Sequence, residues 1–213
     1  VVIAETQTKG KGRLGRKWFS PRGGLWMSIV LKPHLPPREV PLLNLVCSLT
    51  IARVLSELGV RAAPKWPNDV VVGSKKVAGI LAEADFNGYT NWVVVGIGID
   101  TNVDIDSFPV DVRRRATSLR RELGQEIDHD SLTIRILTGL ELDYGKLKEG
   151  DFDELVSEWK LKSDIMGKKV KIGLQNESFV GVAVDIGMGG SLLIQMENGD
   201  TREATVGEFS LIE

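Results

Sequence analysis

Apolar residues recur along this chain with two periods, and the changes of period divide it into elements. Val1-Val2-Ile3 begins an apolar run, and residues 1–5 read as a short strand. LWMSIVL, residues 25–31, reads as another, with the PRGG of 21–24 turning the chain between them. VPLLNLVCSLTIARVLSELG then has helical spacing, with Leu42, Leu45, Val46, Leu49, Ala52 and Leu55 on one face and Gly59 as its stop. Three strands follow, at about 69–73, 76–85 and 91–99, joined by GSK and NGY turns. Helical period returns over 130–148, where Ile136, Leu140, Tyr144 and Leu147 share a face and Asp130 or Ser131 is placed to cap the start. Residues 151–162, DFDELVSEWKLK, form a shorter helix, acidic first and basic last as the helix dipole favours. From about Ile165 only short strands and turns remain, with Asn198-Gly199 a strong hairpin signal. About five strands in so short a stretch suit a small closed barrel. The pattern predicts an α+β chain: a mixed sheet with packed helices over 1–163 and a β barrel over 164–213.

Charge removes some functions from consideration. Lys and Arg number 27 and Asp and Glu 29, a formal net charge of −2. Non-specific nucleic-acid binding rests on neutralising phosphates, so a chain this balanced is not expected to have a nucleic-acid partner. It has no run of about 18 apolar residues, and no membrane span is expected. The single cysteine, Cys47, has no internal partner and falls within the first helix. A packed, inert thiol is expected there, in keeping with a reducing, cytoplasmic setting. The chain starts on an apolar run, with no initiator Met and no basic signal-peptide start, so further residues are expected upstream.

Against this background TQTKGKGRLGRKW, residues 6–18, is unusual. It holds Gly10, Gly12 and Gly15 in a G-x-G-x-x-G spacing together with Lys9, Lys11, Arg13, Arg16 and Lys17. A dinucleotide fingerprint needs a helix at the last glycine and an acidic residue about 20 positions on. Here RKWFSPRGG leads into a strand, and Leu35 has no acidic neighbour. No Walker loop is present either. Three glycines and five mutually repelling cations predict a loop poorly ordered when empty, which an anion would collapse onto backbone N–H groups and basic side chains. Trp18 adds a flat wall suited to a ring. The alternative is a solvated basic loop.

In PKWPND, residues 64–69, Pro67 stiffens the backbone that carries Lys65, Trp66, Asn68 and Asp69. Lys75 and Lys76 begin a strand and point to opposite faces, so one of them is aimed inward and needs an anionic partner, unless both are surface lysines. The exit of the VVVGIGIDTN strand, with Gly96, Gly98, Asp100 and Asn102, allows close approach of a ligand to the backbone. His34 and His129 have no metal-ligating companions and read as surface histidines.

In this order TKGKGRLGRKW, KWPND, KKVAGILAE and GIGIDTN resemble the biotin–protein ligases, and the resemblance spans essentially the whole chain. It implies a class II synthetase-like catalytic domain over 1–163, with its N-terminal part missing from this sequence, and a C-terminal SH3-like barrel over 164–213. It also implies that biotin and ATP, with Mg²⁺ carried on the ATP, form biotinyl-AMP and pyrophosphate. Biotin then passes to one lysine of a biotin carboxyl carrier domain. Matched by motif, Gln7, Gly10, Lys11, Arg13 and Lys76 would hold biotin. Arg13, Arg16, Trp18, Lys65, Asn68, Asp100 and Asn102 would hold ATP or the adenylate. Lys76, Arg13 and Asp69 would carry the chemistry, Asp69 by orienting the carrier lysine or taking its proton. No protein ligand to a metal is implied. A homodimer is expected, as in many members of the family.

The chain departs from the family pattern at three points. Lys11 replaces the first arginine of G-R-G-R, keeping charge but losing the two-pronged fork. Asp100 replaces an asparagine and would repel a triphosphate unless Mg²⁺ lay between them. A Ser-Thr-Asn segment that binds the ureido ring would precede Val1 and is not in this sequence. Two other readings stay open: lipoate or octanoate transfer on a related fold, and a non-catalytic module that binds anions or nucleic acid.

Overall fold

A computed structural model describes residues 1–33, 35–173, 177–205 and 207–212. Six strands, β1 (Val2–Ala4), β2 (Leu25–Leu31), β3 (Ala62–Lys65), β4 (Asp69–Val72), β5 (Lys75–Asn87) and β6 (Tyr89–Ile99), form one sheet in the order β1-β2-β6-β5-β4-β3. Every neighbouring pair is antiparallel. The β5–β6 hairpin runs from Ala78↔Ile99 to Asn87↔Tyr89 around Gly88, whose φ of 77° suits the expected NGY turn. Strand β3 escaped the sequence reading because AAPK neither alternates nor avoids proline. It lies at the sheet edge, where the N–H that Pro64 lacks is not needed.

Helix α1 (Leu42–Glu57) is buried on nearly every side, beyond the single face its spacing marks. It packs on β3, β4 and β5 and is covered by two later helices, α4 (His129–Glu149) and α5 (Asp153–Lys162). Between them in the chain come two short helices, α2 (Val110–Arg113) and α3 (Leu119–Leu123). Pro37–Glu57 is in fact long and apolar enough to cross a membrane by length and composition, but most of it lies inside the core. Cys47 is buried there as expected, and burial, with Asp143 nearby, pushes its thiol up to about 12.

The three long helices are tied by charge as well as by apolar contact. Asp143 of α4, 3% exposed, accepts from Thr50 Oγ1 at 2.5 Å and from Arg53 Nη1 at 2.8 and 2.9 Å. Arg53 also donates from Nε to Glu158 of α5 at 2.8 Å. These bonds raise the Arg53 guanidinium and lower Glu158. The cap of α4 is Asp128, which accepts from Ser131 N at 2.8 Å, just ahead of the expected Asp130 or Ser131.

Strands β7 (Lys169–Gly173), β8 (Ser178–Ile186), β9 (Leu192–Gln195), β10 (Thr201–Ala204) and β11 (Glu208–Leu211) make a second antiparallel sheet, ordered β10-β9-β8-β7-β11. The Asn198-Gly199 turn joins β9 to β10, with Gly199 at φ 87°. The outer strands β10 and β11 do not pair with each other among the described residues, so the sheet is open where a closed barrel was expected. It packs on the same hydrophobic cluster as the first sheet, and Val170, Ile172 and Leu192 are continuous with α1. Trp66 pins the junction: its Nε1 donates to Gly190 O at 3.0 Å and its ring meets Phe209 edge-on.

Candidate active site

The first sheet has α1 on one face, and a cavity of about 840 Å³ opens on the other. Alternation along the strands explains its floor. On β6, Val93, Val95, Ile97 and Ile99 are buried, which leaves Val94, Gly96 and Gly98 to the cavity face. Gly79 of β5 pairs with Gly98, so two glycines lie side by side. The Trp18 indole rests on them. A Cβ at Gly98 would stand 2.5 Å from Trp18 Nε1, and one at Gly79 would stand 3.0 Å from Cζ3. Trp26 meets Trp18 edge-on with ring centroids 6.3 Å apart.

The glycine-rich stretch is folded as an irregular hairpin over this floor. Gln7 N donates to Ser20 O, Trp18 N to Gly10 O and Gly12 N to Arg16 O, at 3.1, 2.9 and 2.7 Å. Gly10 is required by proximity, since a Cβ would lie 2.5 Å from the Trp18 carbonyl. Ser20 Oγ donates to Gln7 Oε1 at 2.7 Å and fixes that side chain on the cavity wall. Arg13 reaches across from the tip, with Nη1 donating to Asn68 Oδ1 at 3.3 Å. Burial lowers its guanidinium below the ordinary value, against the pull of Asp69. Arg16 lines the same wall, and Lys11 leans towards Glu83 at 4.0 Å, both groups largely exposed.

PKWPND holds the opposite wall. Asn68 is clamped to β5: its Nδ2 donates to Ile80 O at 2.6 Å, and its carbonyl accepts from Ile80 N at 2.9 Å. Lys65 pairs in register with Asp69, and its Nζ stands 5.3 Å from the Phe209 ring centroid. Of the two strand-opening lysines, Lys75 is exposed and Lys76 turns in, as alternation requires. Lys76 Nζ lies 2.5 Å from Asp69 Oδ1 and 4.8 Å from the Trp18 ring centroid. The anionic partner that an inward lysine needs is therefore in the chain itself. A crossing segment holds the Lys76 backbone: Lys76 N donates to Arg115 O and Thr117 N to Lys76 O, at 2.7 and 2.9 Å.

At the exit of β6 the two candidates separate. Asp100 lines the cavity and is 3% exposed. Burial raises its carboxyl to about 8, with Lys76 offsetting only part of that shift. That shift weakens the repulsion of a triphosphate expected from an ordinary carboxylate. Asn102 does not line the cavity. Its amide exchanges two 2.8 Å hydrogen bonds with the Ile127 backbone, so the structure does not bring it to the other candidates. Between the two, Thr101 Oγ1 donates to Gly23 O at 2.6 Å and lies 2.7 Å from His129 Nε2. Asn102 Nδ2 stands 3.4 Å from the same ring nitrogen, so Nε2 of His129 lies between a hydroxyl and an amide N–H. His129 is half-buried and tied to the loop after β6, where a plain surface histidine was expected, while His34 lies outside the described residues.

Two parts of the cavity had no sequence signal. Phe108, Val112 and Ala116 form a wall on the segment after β6, with Arg115 beside Lys76. That segment is a series of turns and very short helices with no readable period. Lys171, Phe209 and Ser210 reach the cavity from the second sheet, and only the packing of the two sheets shows this.

Residues 1–100 match the Biotin/lipoate A/B protein ligase family model. The biotin protein ligase from Aquifex aeolicus, solved in complex with biotin and ATP, superposes with a TM-score of 0.84 at 35% identity, over 99% of this chain and 87% of that one. The biotin–[acetyl-CoA-carboxylase] ligase of Mycobacterium tuberculosis is 30% identical over 92% of this chain and 73% of its own length. The chain belongs to the biotin protein ligase family. Within that family, the bifunctional ligase/repressor BirA of Bacillus spizizenii is 32% identical over 93% of this chain, which spans 62% of the BirA length.

Proposed function

We propose that this chain carries the catalytic centre of a biotin protein ligase, which activates biotin with ATP to biotinyl-AMP and transfers it to a lysine of a biotin carboxyl carrier domain. The observation that carries the reading is the placement of Lys76 and Arg13 on opposite walls of one glycine-floored cavity, each held by a neighbour, Asp69 and Asn68. Biotin's carboxylate, like free carboxyls with pKa about 4, is ionised at neutral pH and is already a nucleophile. The barrier is the approach of one anion to another. Two like charges ~4 Å apart repel by about 1 kcal/mol in water and about 4 at an effective dielectric of 20. Cations preorganised at the reacting centre remove that cost.

In this reading Lys76 leaves its contact with Asp69 to hold the biotin carboxylate beside the α-phosphate. Gln7, Gly10, Lys11 and Arg13 fold over biotin, and Arg16, Trp18, Lys65, Asn68 and Asp100 face the nucleotide. The hairpin shields the mixed anhydride from water. Asp69, released from Lys76, is placed to orient the carrier lysine or accept its proton. Mg²⁺ carried on ATP would neutralise phosphate charge, and no protein ligand is assigned to it. Residues 1–163 form the catalytic domain and 164–213 a small SH3-like domain whose five-stranded sheet stays open between β10 and β11 among the described residues. The protein works in the cytoplasm as a homodimer.

The test is incubation with radiolabelled biotin and MgATP, followed by a carrier domain. Biotinyl-AMP and then labelled carrier are expected. Lipoyl-AMP formed from lipoate in its place would support the lipoate reading. Neither product would leave a non-catalytic binder.

A further inference from the structure

Nine basic and three acidic side chains line the cavity among the described residues, on a chain whose formal net charge is −2. The acids are accounted for. Asp69 holds Lys76 at 2.5 Å, Asp100 is buried, and Glu83 stands 4.0 Å from Lys11. Lys9 and Lys17, both exposed on the hairpin, have no acidic partner among the described residues. The direction of Lys17 follows from the pairing. Lys11 and Lys17 are antiparallel partners, flanked by the bonds from Gly12 N to Arg16 O and from Trp18 N to Gly10 O. They are thus a non-hydrogen-bonded pair, the kind whose side chains leave one face and approach most closely. Trp18 turns its ring onto the Gly79 and Gly98 floor, so its neighbour Lys17 points to the outer face of the hairpin. Like charges directly opposite each other in a strand pair are destabilising. Glu83 relieves this only weakly, at the Lys11 side, and both of those groups are largely exposed. An outer face left with uncompensated positive charge is suited to an anion from outside the chain.

Building on the ligase reading, we propose that Lys9 and Lys17 form a docking surface for an acidic face of the carrier domain, the face that surrounds its target lysine. A lysine side chain is short, so a folded carrier has to come down onto the rim to bring its amine into the cavity. The hairpin lies over the cavity floor, and its outer face is what such a carrier meets. Trp18 and Arg13 turn to the other side, one onto the floor and one across to Asn68, and the small substrates belong there. Exposed cations of this kind act mainly on encounter, because complementary charge speeds association and fixes register more than it tightens a finished complex. Salt weakens that action, since the screening length falls from ~30 Å at about 0.01 M to ~10 Å at about 0.1 M.

The test follows transfer of radiolabelled biotin, at saturating MgATP, to a purified carrier domain that bears Asp or Glu beside its target lysine. The kcat/KM of the wild type for this carrier should fall about tenfold between ~0.01 and ~0.3 M NaCl, as electrostatically steered association does. The double variant Lys9→Gln/Lys17→Gln should lose about fivefold at the low-salt end, the scale of two exposed ion pairs, and should depend on salt much less. The loss should lie in KM for the carrier, with adenylate formation at saturating biotin and ATP unchanged, which also shows that the fold persists. Neutralising the carrier's acids to Asn or Gln should reproduce the loss with the wild type and add little to the variant, as for groups in contact. Undiminished transfer by the double variant would overturn the docking surface, as would a carrier whose neutralisation costs the variant as much as the wild type. A loss that appears in adenylate formation would assign the two lysines to the nucleotide and overturn it as well. Failure of the wild type to form biotinyl-AMP at all would overturn the ligase reading and this inference together.

Discussion

Replacing Lys76 by Met removes one charge and keeps most of the stem that lies over Trp18. The expected effect can be worked from its surroundings. An anion held ~4 Å from a lysine ammonium gains about 4 kcal/mol at an effective dielectric of 20. Two features of the site reduce that figure. The Lys76 side chain is 30% exposed, so water screens it, and Asp69 at 2.5 Å must be given up before a ligand is gripped. About 2–3 kcal/mol of transition-state stabilisation remains, or a loss of about 30- to 150-fold in the rate of adenylate formation. Single-turnover formation of biotinyl-AMP at saturating biotin and ATP is the assay, with circular dichroism and a thermal melt to show that the fold persists. Asp69 is partly exposed and stays solvated when its partner is lost, so only a small change in melting temperature is expected. A loss of less than threefold in an intact fold would refute the assignment of the reacting-centre cation to Lys76.

Two other substitutions examine the hairpin and the floor. Arg13→Ala removes the bond to Asn68 that latches the hairpin tip, and biotinyl-AMP release into solution, followed by filter separation, should be about tenfold faster, the lower end for a hydrogen bond to a charged group. Release at the wild-type rate would show that the latch lies elsewhere. Gly98→Val drives a side chain into the Trp18 ring, since even a Cβ would stand 2.5 Å from its Nε1. Displacing the indole should change the tryptophan emission and weaken ATP binding at least tenfold, at a stability cost of about 1–3 kcal/mol typical of overpacking; unaltered emission and affinity would contradict the placement of Trp18 on the floor.

The hairpin shows what composition cannot supply. Its glycines and cations predict disorder, because an isolated segment is judged by its own entropy and repulsion. In the fold, Gly10 lets the chain pass close to the Trp18 carbonyl, and Arg13 finds Asn68 across the cavity. The misplacement of Asn102 has the opposite origin. A polar residue at a strand exit looks available, but residues 25 positions away in sequence satisfy its amide.

What the sequence determined by itself is local. Alternation put Lys75 and Lys76 on opposite faces, glycine spacing marked the β6 floor, and motif order pointed to the family and to Lys76. Each of these follows from the two-residue strand period or from the conformations open to glycine, which neighbours in sequence settle. The tertiary structure alone decided which inward group meets which. Asp69 against Lys76, Trp18 laid on Gly79 and Gly98, and Lys171 and Phe209 brought in from the second sheet all depend on distant segments being packed together. The raised carboxyl of Asp100 belongs there too: burial among the strands and Leu119 lifts it above the range it has in water.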